Sequence, residues 1–220
     1  MKIIVKSHQY AAFAIFAAIA GGLPDSANAQ VQFPVEKPTP KVGDVWKYRQ
    51  VDLWNGKELS NSEVELVSIE AGHFITRVKS SSYPGVRTGR RTTDLWPCRN
   101  MKNSDQEVCA GAFRFPMQLG QKTEYQKVPW DTGNGYWSGK CEVKAEEKVT
   151  VPAGTFDAVR VECAGYWTRV FEGNFTGRFT ETIWYAPKVN RGVRSQYFDS
   201  YSSGSPNNKT QTELVEFISK

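Results

Sequence analysis

Four cysteines, Cys98, Cys109, Cys141 and Cys163, carry the clearest chemistry in this 220-residue chain. An even count in an oxidising compartment reads as two disulfides, for which three connectivities exist. The favoured pairing is Cys98 with Cys109, closing a polar loop over 99–108, and Cys141 with Cys163, which a central hairpin folds back beside each other. If Val151 faces Phe156 in that hairpin, Lys144 stands opposite Cys163, so a bulge must bring Cys141 in. None of the spacings is C-x-x-C, so a zinc site is disfavoured and no metal is expected. Once paired, Cys98 and Cys109 are inert as nucleophiles.

Other catalytic groups are scarce. Of two histidines, His8 lies in an apolar leader, and His73 stands alone at a strand start. One imidazole is too few for a His-based metal site, and any Ser-His-Asp triad would have to use it. There is no Gly-x-Ser-x-Gly elbow and no P-loop, and no cofactor is implied. Glu142, Glu146, Glu147, Asp157, Glu162, Glu172 and Glu181 cluster on one meander. Most alternate with apolar positions, as solvent-facing residues do, so a carboxylate-pair hydrolase is an alternative rather than the leading reading.

Two binding clusters stand out instead. Trp130, Tyr136 and Trp137, spaced by glycines and Asn134, offer flat apolar faces beside polar groups, the chemistry that holds a sugar ring or a lipid headgroup. Their ordinary alternative is a plug at the end of a core. Arg87, Arg90 and Arg91 form the densest basic group, with Arg87 and Arg91 on one strand face and Arg90 on the other, and suit an anionic partner. Solvation of an edge strand is the competing role.

Compartment follows from the N-terminus. Lys2 and Lys6 precede the ten-residue apolar run 11–20, too short to span a bilayer, and Ala27-Asn-Ala29 has small residues where a signal peptidase reads. Cleavage is expected after Ala29, giving a periplasmic or secreted chain that does not span the membrane. A net charge of +5 lacks the dense basic patch of a nucleic-acid binder, so no nucleic-acid partner is expected.

The elements that must position these groups are strands. Residues 30–41 hold three prolines and read as an extended lead-in, with a single β domain over 42–220. Alternating runs fall at 45–51, 63–69, 73–79, 86–96, 113–115, 122–128, 166–172, 178–185, 193–198 and 211–218, around a hairpin over 147–162 turning at Pro152-Ala-Gly-Thr155. A long 3.6-residue period is missing, apart from a short helix allowed near Asn103 or Gly111. The fold class is all-β: an antiparallel meander forming a curved sheet or a closed or partly open barrel, with a β-sandwich as alternative.

Glu147-Lys-Val-Thr-Val-Pro-Ala-Gly-Thr-Phe-Asp-Ala158, then Thr182-Ile-Trp-Tyr-Ala-Pro187 and Gly192-Val-Arg194, resembles a group of uncharacterised exported bacterial β-rich proteins. Val42-Gly-Asp-Val-Trp-Lys-Tyr48 is similar to their opening strand. The resemblance implies an extracytoplasmic β-rich domain and carries no catalytic residues with it. Together these observations point to a non-enzymatic binding module for a small amphipathic or glycan ligand in the cell envelope. The alternatives are an envelope structural or assembly factor contacting protein or polymer, and the carboxylate-pair hydrolase.

Overall fold

A computed structural model describes residues 31–100, 106–130, 133–170 and 175–220. The expected leader with its cleavage site, Asn103, Asp131 and Glu172 lie outside these. The first four strands are β1 (Val45–Asp52), β2 (Glu58–Glu70), β3 (His73–Ser80) and β4 (Val86–Thr92). After two short strands, β5 (Cys98–Asn100) and β6 (Glu107–Cys109), the chain continues with β7 (Lys122–Pro129), β8 (Gly135–Val151), β9 (Gly154–Arg169), β10 (Thr176–Ala186), β11 (Arg191–Tyr201) and β12 (Pro206–Ile218). The helical element among the described residues is one 3-10 turn, Pro187–Val189, not the segment near Gly111.

Ten strands form one antiparallel sheet in the order β4-β3-β2-β1-β12-β11-β10-β9-β8-β7. Neighbours are consecutive in sequence except where β12 returns to pair with β1. This is the connectivity of an up-and-down barrel left open at one seam, between β4 and β7. The closed barrel is therefore corrected to an open, curved sheet, and the sandwich is not formed. Closure fails for a physical reason. The connection from β4 to β7 is far too long for a hairpin, and among its described residues β5 touches both β4 and β7. Its β5–β6 hairpin pairs only with itself, Cys98 opposite Cys109. Beyond the hairpin, Phe113 and Phe115 turn their rings onto Tyr185 of β10, at 5.4 and 5.3 Å between centroids. The expected strand over 113–115 is thus a pair of buried rings lying on the sheet.

One face of the sheet is covered in this way. Trp46, Val64, Leu66 and Phe74 from β1–β3, and Val143, Val159, Val161, Tyr185 and Leu214 from β8–β12, share a buried cluster with Phe113, Phe115 and Met117. The lead-in joins it as well: Val35 is buried and bridges to Met117 through reciprocal backbone hydrogen bonds. Close approach on this face demands glycine. A Cβ on Gly177 would lie 2.3 Å from the Trp167 ring and 2.2 Å from the Ser200 carbonyl oxygen, so the empty position is filled by the indole of the neighbouring strand.

Both disulfides take the favoured pairing. The central hairpin has a two-residue turn with Val151 opposite Gly154 and Val149 opposite Phe156, two positions from the expected register. A bulge between Val143 and Ala145 supplies the one-residue shift that sets Cys141 directly opposite Cys163. The first arm of the hairpin expected over 147–162 is the end of β8, and its second arm merges with the start of the run expected at 166–172 into one continuous strand, β9, ending at Arg169. Replacing both Cys98 and Cys109 by alanine should lower stability by roughly 2–3 kcal/mol in the loop-entropy model. Urea unfolding reads this directly, and an unchanged midpoint would show that the seam plug is held by packing alone.

Candidate functional site

The strand alternation of β4 places Arg87 opposite Val78 and Arg91 opposite Phe74, so both arginines stand on the covered face. Gly89 lies between them on that face, and the place of its missing side chain is taken by the Thr76 hydroxyl, which would lie 2.6 Å from a Cβ there. Val64 on β2 and Val78 on β3 extend an apolar floor from Arg87 towards Trp46 of β1. Above this floor is a cavity of about 820 Å³, lined by Arg87, Arg91, Arg99, Arg191, Tyr83 and Trp130 among others. Trp130 arrives from the β7–β8 connection at the far end of the strand order. The sheet is curved enough to bring its two edges to one cavity. Arg99 of β5 confirms the approach, with its guanidinium 5.7 Å from the Trp137 ring of β8.

Aromatic faces, rather than carboxylates, hold several of these arginines. The Arg87 guanidinium sits 3.8 Å over Tyr83, and that of Arg191 sits 4.7 Å over Trp46. Arg191 was not singled out in the sequence. It is aimed by Asn190, whose left-handed backbone (φ 55°) ends the 3-10 turn just before β11. Arg91 donates from Nη1 to the Leu95 carbonyl at 3.0 Å. Arg90 behaves differently, as alternation foretold. It lies on the other strand face, ion-paired with Glu107, with Nη2 3.2 Å from His73 Nδ1. Glu107 is the one acidic residue among the described cavity lining, against five arginines.

The aromatic trio is split. Trp130 and Trp137 pack at 5.5 Å, and Trp167 joins Trp130 at 6.3 Å. Trp137 pairs with Trp167 across β8–β9, whereas Tyr136 pairs with Thr168 and therefore points to the opposite face. Tyr136 is corrected out of the candidate site. Trp130 also carries a buried Nε1–H with no acceptor among the described residues.

His73, Cys98, Glu107 and Cys109 bring potential ligand atoms within 4.8 Å of one another. The two sulfurs are bonded to each other and Glu107 is taken by Arg90, so the oxidised cluster offers no thiolate and no free carboxylate to a cation. The meander acids mostly form surface contacts. Glu142 bonds Lys144 at 2.9 Å, which holds its carboxyl below the usual range, Asp157 meets Lys148 at 2.6 Å, and Glu147 and Glu162 flank Arg160. Glu146 accepts from the Val31 backbone N–H at 2.7 Å. A hollow of about 610 Å³ runs among Lys122, Lys140, Glu142 and Glu162, on the uncovered face. Glu181 is the exception. It shares the covered face with Cys163 and Tyr197, and desolvation raises its pKa to about 7.

No family model matches the chain, and no curated protein does. Two solved structures are similar in fold. One is a protein from Bacteroides fragilis classed as exported and having a YmcC-like fold, with 16% identity and a TM-score of 0.53 over 84% of this chain and 99% of that one. The other is a protein from Parabacteroides distasonis classed as a lipoprotein, with 16% identity and a TM-score of 0.51 over the same shares. At that identity the likeness speaks for architecture alone. With its ten-stranded open antiparallel sheet, the chain has the YmcC-like fold.

Proposed function

We propose that this chain is an exported, non-enzymatic binding module of the cell envelope that takes a small amphipathic or glycan ligand in the cavity between β4 and the β7–β8 connection. One observation carries the reading. The cavity is where two clusters far apart in sequence converge, Trp130 from one end of the sheet and Arg87 and Arg91 from the other. Its volume, about 820 Å³, falls in the range of about 300–1,000 Å³ that ligand sites occupy. An apolar floor with a few oriented polar groups is the usual composition of such sites. Export is supported by the leader-like N-terminus, by two disulfides in a small chain, and by structural neighbours classed as exported or lipoprotein. Among the described residues no helix is long and apolar enough to cross a membrane.

The test is thermal unfolding followed by tryptophan fluorescence against fatty acids, phospholipid headgroups and cell-wall oligosaccharides. A ligand at a hundredfold excess over its dissociation constant adds about 2.7 kcal/mol to folding. At least one class should raise the midpoint, and Trp130→Ala should abolish that rise. A flat panel would end the binding-module reading.

A further inference from the structure

We infer that the ligand of this cavity is an oxyanion, a carboxylate, phosphate or sulfate carried on an organic body, gripped by Arg87, Arg91 and Arg191 with the body laid over Val64 and Val78. The inference rests on the reading of the cavity as the ligand site and adds the chemical class. Three independent features support it.

The first is charge. Among the described lining residues five arginines stand against one acid, Glu107, which is matched by Arg90. Such an excess of positive charge, clustered in a hollow with apolar walls, focuses the field on an incoming anion. The second is the choice of arginine. The described lining contains no lysine, although the chain is well supplied with lysine elsewhere. A guanidinium fork can bind a carboxylate or phosphate through two parallel N–H donors, which an ammonium does not match. The third is how the groups are held. Neither Arg87 nor Arg191 is paired with a carboxylate among the described residues; Arg87 rests on the Tyr83 ring, and Arg191 rests on the Trp46 ring and meets the Tyr48 hydroxyl. A cation resting on a ring, as Arg87 does, is oriented while its edge donors stay available for a ligand. Arg77, on the other sheet face, shows the contrast: it is matched to Glu65 at 2.9 Å.

The sheet fixes the scale. Trp46, Val64, Val78 and Arg87 occupy successive strands in one row, so Trp46 and Arg87 stand about 14 Å apart at the ~4.8 Å strand spacing. Arg191, resting on the Trp46 ring, and Arg87 thus mark opposite ends of that row. Between Arg87 and Arg91 stands Gly89, with the Thr76 hydroxyl against it rather than a side chain of its own. The anionic group is seated against the arginines, and the two valines receive the carbon framework.

An acidic saccharide and a lipid phosphate share this chemistry, and two pairs of probes separate them. Trigalacturonate is compared with maltotriose, and dodecyl phosphate with dodecyl maltoside below their micellar concentrations, all by isothermal titration calorimetry. The acidic member of one pair should bind at least tenfold more tightly than its neutral counterpart, and affinity should fall as salt rises from 50 to 500 mM. Arg87→Gln and Arg191→Gln should each weaken acidic binding tenfold or more. Arg87→Lys should recover only part of the loss, and Arg77→Gln, with the same charge change, should leave binding intact. Circular dichroism and the unfolding midpoint check that each variant folds; Arg87→Gln, at an exposed position, keeps the test informative if Arg191→Gln does not fold. Neutral probes binding as well as acidic ones, or arginine variants without effect, would overturn this inference and leave the binding module standing. Silence from all four probes would overturn both.

Discussion

Trp46→Ala is expected to lower the unfolding free energy by about 4 kcal/mol, the range for emptying a buried aromatic site. Trp46 is 1% exposed and stacks on Phe217 with centroids 5.7 Å apart. Its Nε1–H donates to the Val189 carbonyl at 2.8 Å, tying β1 to the 3-10 turn that precedes β11. Alanine leaves both a cavity and a buried carbonyl without its donor. For a domain of this size the midpoint should drop by roughly 10 °C. Trp46→Phe keeps most of the volume and loses the hydrogen bond, so it should cost about 1–2 kcal/mol. The same ring is the platform for Arg191, so Trp46→Ala should weaken binding of the acidic probe even at temperatures where the variant is folded. An unchanged midpoint, or equal losses for the two variants, would contradict this account of the core.

Glu181→Gln is expected to stabilise the chain at pH 8 and to have little effect at pH 4. Burial raises the Glu181 pKa from the ordinary 4.5 to about 7, so the folded chain holds this proton more tightly than the unfolded chain does. Below about pH 4.5 both states are protonated and the group is neutral with respect to stability. Between about 4.5 and 7 unfolding releases the proton, and stability falls as pH rises; above 7 the full penalty of a desolvated carboxylate is present. Two and a half pH units correspond to about 3 kcal/mol. The surroundings explain why the charge is not relieved. On the covered face Glu181 lies beside Tyr197, and the phenol of Tyr197 donates instead to Asp199 at 3.2 Å. Tyr125, another phenol that senses the Glu181 charge, is itself raised by burial. Urea titrations of wild type and variant across pH 4–8 give the difference curve, and a flat one would remove Glu181 from this role.

Much of the strand pattern was legible in the residues because alternation is a local property. Trp46 with Tyr48, Val149 with Val151 and Val159 with Val161 reveal their shared faces at two-residue spacing. Where alternation breaks, reading by pattern breaks too. Leu95, in a left-handed backbone conformation (φ 62°), belongs to the turn that follows β4, which itself ends at Thr92 rather than running to Trp96. Phe113 and Phe115 alternate like strand residues, yet they need no partner strand because Tyr185 receives them. The bulge near Lys144 inverts the phase of β8 midway, and nothing local to that stretch marks it except the requirement that Cys141 meet Cys163.

The sequence by itself determined the all-β class, the disulfide pairing most compatible with a hairpin, and the division of Arg87 and Arg91 from Arg90, because each depends on neighbours close along the chain. Tertiary structure alone decided that Trp130 meets those arginines across an open seam, that Tyr136 faces away from them, that Arg191 joins from about a hundred residues downstream, and that Glu181 is half-buried on the covered face. The physical reason is curvature. Which ends of a ten-stranded sheet converge depends on accumulated twist and on what fills its interior, and neither is written in any short window of residues.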